Sequence, residues 1–167
     1  MPNMRRKDRE LPREIALSIV DKCAYSVMAT VNPDGSPYCI PLSLAMKGEW
    51  LYFHCAKEGH KIDNLRHNCR VCISCVGEVK PIREDFSTEF ESAVISGTAS
   101  EILDPDEKIY ALRLISERYT PDNMQAFDEA IRKSIENTGV WKIHMDEISG
   151  KQKKLDKDGR EIKYGRT

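Results

Sequence analysis

Tyr52–Val71, "YFHCAKEGHKIDNLRHNCRV", changes its period twice. Its aromatic start, continuing from Glu49, reads as the end of a β-strand. Gly59 marks a turn. Ile62 and Leu65, three apart among polar residues, read as a short helix, and "CRVCISCV" from Cys69 returns to strand. His54, Lys57, His60 and Lys61 crowd the strand–helix junction. A helix N-terminus presents unpaired backbone N–H groups and a partial positive charge. Cations gathered there make a candidate phosphate cradle. The plainer reading of the same residues is a solvated polar turn.

Upstream, "YSVMATV" (25–31) has the Val, Thr and Tyr content of a strand. "NPDGSP" reads as a turn, in which Pro33 presets φ and Gly35 tolerates a positive φ. "YCIPLSLAM" (38–46) is a second strand, and "KG" turns it into a third, "EWLYFHCA" (49–56). Short loops between them predict an antiparallel meander. Ahead of these, residues 11–24, "LPREIALSIVDKCA", read as a helix with Pro12 in the first turn. Ile15, Leu17, Ile19 and Val20 fall roughly on one side of it.

Downstream, "GEVKPIREDFSTEF" (77–90) is a polar connection with no clear period, followed by a long strand, "ESAVISGTASEIL". Asp104, Pro105 and Glu107 resemble a capping box that opens the helix "PDEKIYALRLISERY". "TPDNMQAFDEAIRKSIEN" is expected to be one further helix, stopped by Gly139, and "VWKIHMDEISGK" a last strand. The polar tail is expected to fray. The chain thus divides into a domain, 1–151, and a tail, 152–167. The fold class is mainly β with flanking helices: six antiparallel strands closed into a small barrel, which removes the sheet edges.

Composition narrows the function. A length of 167 residues and 40% hydrophobic content suit one domain with one core. A net charge of −1 and a pI near 6.4 predict neither a nucleic-acid nor an anionic-membrane partner. No apolar run approaches the roughly 20 residues of a membrane span. The charged start, "MPNMRRKDRE", leads into no apolar signal core, so a cytoplasmic location is expected. Six cysteines there are expected to be reduced.

"HNCRVCISC" (67–75) has the cysteine spacing of a metal site. No cysteine follows Cys75 to complete a ferredoxin-type cluster. His67, Cys69, Cys72 and Cys75 count to four zinc ligands, but the segment has strand composition, and strand residues three apart face opposite ways. Small apolar strand residues are the expected role, and no metal site is expected.

Three stretches in order, "MATVNPDGSPYCIPLSLA", "LYFHCAKEGHKIDNLRHNCRV" and "VISGTASEI", resemble the pyridoxamine 5′-phosphate oxidase-like FMN-binding split-barrel superfamily. The "MRRKDRE" start and the Tyr52–Asn68 phrase are similar to its nitroimidazole-resistance (Nim) branch, over residues 4–151. The resemblance implies a split barrel acting as a homodimer, with FMN in clefts at the subunit interface and a small-molecule substrate. It implies that His54 and Cys55 lie beside the FMN ribityl–phosphate, and that His60 and Lys61 hold the phosphate while Lys57 and Gly59 shape the loop. The backbone of Ile40, Pro41, Leu42 and Ser43 would face the isoalloxazine ring. Asn64 would face the ribityl chain and Ser92 the ring. Trp141 would reach the neighbouring flavin or serve as an ordinary core residue. His54 would exchange protons as the catalytic residue, or only hydrogen-bond FMN.

The implied activity is an FMN-dependent oxidoreductase passing electrons to a small acceptor such as a nitroaromatic. Two alternatives stay open: a flavin-binding protein without catalysis, and a barrel holding haem through His54 or His60. True pyridoxamine-phosphate oxidases carry an arginine-rich C-terminal motif, and "GREIKYGRT" lacks it, so that activity is not expected. His60 stands where arginine is frequent, and Cys69 where proline is.

Overall fold

A computed structural model describes residues 4–164. Its elements are β1 (Glu10–Leu11), α1 (Arg13–Lys22), β2 (Ser26–Val31), β3 (Pro37–Leu42), β4 (Ala45–Lys47), β5 (Trp50–Ala56), α2 (His60–His67), β6 (Arg70–Ile82), β7 (Ser87–Glu101), α3 (Pro105–Tyr119), α4 (Phe127–Ser134) and β8 (Thr138–Lys153). All strands belong to one antiparallel sheet in the order β3-β2-β6-β7-β8-β5-β4, with β1 paired to β8.

The two ends of that order, β3 and β4, are separated in the chain only by Ser43 and Leu44. A sheet whose opposite edges are joined so closely must curl until they meet, and this makes the barrel. β3 hydrogen-bonds only to β2, and β4 covers only Trp50–Tyr52 of β5. The rest of β5 therefore has an open edge toward β3, and the barrel is split there.

Inward residues alternate along the strands: Met28 on β2, Ile73 and Cys75 on β6, Ala93 and Ile95 on β7, Ile143 on β8. Each large apolar side chain of this kind contributes about 1.5–3 kcal/mol when fully buried. α1 closes one end with Ala16, Ile19 and Val20. β5 is covered on both faces, by the barrel core at Leu51 and Phe53 and by α3 and α4 at Tyr52. That double burial explains its nearly unbroken apolar run. Asp104 caps α3, accepting from the Glu107 N–H at 2.8 Å.

Several expectations are corrected. The described residues form eight strands rather than six, because the strand over 38–46 breaks at Ser43–Leu44 and a short β1 is added. The meander is broken: β3 and β5 do not pair. The connection over 77–90 is a long hairpin, with β6 and β7 paired as far as Ile82–Ser87. The helix after Thr120 is a 3₁₀ turn, α4 and a second 3₁₀ turn. Gly139 lies inside β8, where a Cβ would meet the Ala56 carbonyl at 3.0 Å. The tail does not fray over its described part: β8 runs to Lys153, Leu155 bridges Glu161, and Arg9 pairs with Glu161 at 2.5 Å. Its last residues, 165–167, lie outside the described region.

Candidate functional site

The split in the barrel is a groove of about 410 Å³, walled by Ile40 and Pro41 of β3, Cys55 of β5, and Gly59, His60 and Lys61 at the start of α2. That volume lies within the ordinary range of small-molecule sites. Both strand walls are unpaired edges, so their backbone N–H and C=O groups are available to a ligand. Pro41, which has no N–H, is tolerated because β3 is an edge strand.

Gly59 has φ 124° and ψ 165°, a conformation that a side chain would strain, and it turns the chain from β5 into α2. The first amides bonded within α2 are those of Ile62 and Asp63, both to the Gly59 carbonyl. The His60 and Lys61 amides precede them and remain open to a ligand. Lys61 Nζ sits 5.5 Å from the centre of the Phe53 ring, and no carboxylate among the described residues pairs with it. Glu58 lines the same groove and is exposed.

His60 is held on two sides. Its ring stacks on Tyr38, 4.4 Å between centroids and 12° between planes, and its Nε2 lies 2.6 Å from Asn32 Oδ1. Asn32 Oδ1 also accepts from Asn64 Nδ2 at 2.7 Å, while Asn32 Nδ2 donates to Ser36 Oγ. With that oxygen as acceptor, His60 Nε2 carries the proton. Asn64, 1% exposed, donates as well to Thr30 Oγ1. It therefore fixes α2 against β2 instead of facing the groove.

The remaining predicted residues fall elsewhere in the single chain. Leu42 packs half-buried against the core, and Ser43 is exposed in the β3–β4 link beside Tyr119. Lys57 is exposed in the turn. His54 alternates with Cys55 along β5, so it shares a face with Tyr52 and looks away from the groove. Ser92, on the outer face of β7, is opposite Val76 and Lys151. Trp141 is buried in the core, stacked on Phe53 with 6.4 Å between centroids. The site also includes residues not singled out above: Asn32, Tyr38 and Ala56. Asn32 was legible only as a turn residue, since its partner His60 lies 28 positions away.

Two groups near Lys61 titrate away from their ordinary values. Desolvation by the surrounding protein, and then the Lys61 charge, lower the His54 pKa. Desolvation raises that of the Cys55 thiol, with Lys61 opposing. In "HNCRVCISC", Cys72 is exposed and Cys75 buried on opposite faces of β6.

The family model of pyridoxamine 5′-phosphate oxidase matches residues 12–152. A crystal structure of a protein from Bacteroides thetaiotaomicron, named for 5-nitroimidazole antibiotic resistance, is 30% identical, with 86% of each chain covered and a TM-score of 0.73. An FAD and haem binding protein from Mycobacterium smegmatis is 20% identical over 96% of this chain and 84% of its own, with a TM-score of 0.74. An FAD-binding protein from Mesorhizobium loti is 21% identical over 86% of this chain and 96% of its own, with a TM-score of 0.60. At those identities the last two show the shared fold alone. None of the curated proteins matches this chain. By its family model and its eight-stranded split barrel, the chain belongs to the pyridoxamine 5′-phosphate oxidase family.

Proposed function

We propose that this chain is an FMN-binding oxidoreductase that passes electrons to a small acceptor, with nitroaromatic compounds as the candidate class. One observation carries the reading: the unpaired Lys61 and the open His60 and Lys61 amides converge on one end of a groove whose walls are unpaired strand edges. A phosphate suits the cationic end. A planar heterocycle suits edges that offer alternating N–H and C=O groups. Gly59 leaves the entrance clear, with nothing within 4 Å of a Cβ position. FMN, when bound, supplies reversible electron transfer.

The chain's own residues bind and orient. Lys61 supplies the charge, and His60, clamped by Tyr38 and Asn32, keeps its ring at the helix start. Cys55, a neutral thiol, and Ile40 supply apolar wall. The groove is open on one side, and Pro41 and His54 are exposed. We infer that a second copy of the chain covers it, making a homodimer in which His54, on the β5 face that looks away from its own groove, exchanges protons at the interface. Six free thiols suit a cytoplasmic setting. Among the described residues no helix is long and apolar enough to cross a membrane.

The test is a titration of the purified chain with FMN and with FAD, followed by flavin absorbance and fluorescence. Saturation near one FMN per chain is expected. Lys61→Ala should weaken it by about 1.5–3 kcal/mol, the size of a charge-assisted contact. An unchanged titration in the variant would remove Lys61 from the site. NAD(P)H-dependent reduction of the bound flavin and nitro-compound turnover separate an enzyme from a flavin carrier. A Soret band would replace both with a haem protein.

A further inference from the structure

We infer that Cys23 and Cys75 form a redox-active dithiol, oxidised to a disulfide by hydroperoxides. The site lies away from the groove between β3 and β5, and the inference does not rest on the flavin reading.

Cys23 is the C-cap of α1, and Cys75 points inward from β6 directly opposite Ser26 of β2. They are 4% and 0% exposed. Both sulfurs reach the same hydroxyl: Cys23 Sγ is 3.5 Å and Cys75 Sγ 3.2 Å from Ser26 Oγ. The Cys23 thiol also donates to the Val20 carbonyl at 3.2 Å. Arg118 of α3 crosses to this point and donates to the carbonyls of Val20 and Cys23 at 3.0 and 2.9 Å. Its other terminal nitrogen, Nη1, is buried without a partner among the described residues. A buried cationic donor with spare capacity beside two sulfurs is the setting that stabilises a thiolate.

The pair is asymmetric. The neighbouring Cys75, opposed by burial and helped by Ser26 and Arg118, lowers the Cys23 pKa. Cys23 and burial raise that of Cys75. Cys23 lines the adjoining groove and Cys75 is fully buried behind it, so Cys23 meets the peroxide first and is the nucleophile. Access is provided by a groove of about 560 Å³, lined by Lys22, Cys23, Tyr25, Ser74 and Gly77 among others. By contrast, Cys39, Cys55, Cys69 and Cys72 are more exposed but have no such partner arrangement among the described residues.

The chemistry balances as two steps. The Cys23 thiolate attacks the O–O bond of the hydroperoxide, forming an S–O bond and releasing an alcohol or water once the leaving oxygen is protonated. The Cys75 thiol then attacks Cys23 Sγ, forming the S–S bond and expelling water. Two thiols are oxidised by two electrons, and one peroxide bond is reduced. An external thiol reverses the disulfide.

The test uses the full reduced chain, treated with hydrogen peroxide, alkylated, digested and mapped by mass spectrometry. A Cys23–Cys75 linked peptide is expected, with Cys39, Cys55, Cys69 and Cys72 still alkylated and the link reversed by dithiothreitol. Cys75→Ser should halt the reaction at a Cys23 sulfenic acid, trapped by dimedone. Arg118→Met should slow Cys23 oxidation about tenfold by raising its thiol pKa, and Arg118→Lys should restore much of the rate. Wild-type mapping requires no variant to fold. Peroxide that consumes the exposed cysteines first, a Cys23 that over-oxidises without linking, or a link to any other cysteine would overturn the assignment.

Discussion

Asn32 Oδ1 stands 2.6 Å from His60 Nε2 and 2.7 Å from Asn64 Nδ2, so one turn residue sets both the start and the middle of α2. Replacing Asn32 with Ala removes the acceptor for both. Asn64 keeps only its bond to Thr30, and its second amide hydrogen stays buried without a partner. A buried unsatisfied donor costs about 1–3 kcal/mol. Asn32→Ala should lower the unfolding free energy by that amount, read as a lower urea midpoint at unchanged m-value, and weaken FMN through the misplaced His60. A variant with wild-type stability would show that water replaces Asn32 at no cost.

The His54 pKa lies below its ordinary value of 6.5, through desolvation first and the Lys61 charge second. Between the lowered folded-state pKa and the unfolded value, the unfolded chain binds more protons, so stability rises with pH. A neutral imidazole at pH 7 follows. NMR titration of the ring should give a midpoint below 6.5, and Lys61→Ala should move it up. A midpoint that ignores Lys61 would leave desolvation as the whole cause.

Glu91 is held at the β6–β7 bulge between Lys22, at 2.5 Å, and Lys154, at 2.9 Å, and it accepts from the Glu78 N–H. Burial alone pushes its carboxyl up, but the two lysines and the amide outweigh it, and its pKa falls below the ordinary 4.5. Its contribution to stability is complete above that value and is lost as pH falls through the folded-state pKa. Gly77 makes the arrangement possible, because a Cβ there would overlap the carboxylate and come within 2.7 Å of Glu91 Cγ. Gly77→Ala should cost about 1–3 kcal/mol, as overpacking does. Glu91→Gln should flatten the acid limb of a melting-temperature profile taken from pH 3 to 6.

The strands were legible because alternation survives in them: Met28, Ile73 and Ile95 all face inward where the period places them. The break at Ser43–Leu44 was not, since "YCIPLSLAM" carries no glycine or turn pair to mark it, and only the closure of the sheet requires it. The hairpin over 77–90 was hidden for another reason. Its β6 arm is mostly exposed and its β7 arm only half-buried, so no period shows. At the site, Gly59, His60 and Lys61 could be read from local chemistry, whereas Asn32 and Tyr38 could not, because their roles depend on β2 and β3 lying beside α2. Asn64 shows the converse: a polar residue in a binding phrase can be taken up by the fold.

Arg9 and Glu161 clasp the two ends of the described chain, and Lys163 joins Glu161 to Asp8 at 2.9 and 2.7 Å. The Arg9 hydrogen bond, with Lys163, lowers the Glu161 pKa from 4.5 to about 2. The Arg6 and Lys163 bonds lower that of Asp8 as well. Both groups are depressed, so the clasp is at full strength above about pH 4.5 and loosens as pH falls toward 2. The tail amides report this directly, because Ile162 N–H donates to Lys154 and Asp156 N–H to Arg160. Their hydrogen exchange, corrected for intrinsic rate, should accelerate over that window while the core strands stay protected. Arg9→Ala removes the strongest partner of Glu161 and should speed the same amides at pH 7, with little change in melting temperature because the ion pairs are near the surface. Equal exchange in wild type and variant at pH 7 would mean that the Leu155–Glu161 bridge alone holds the tail.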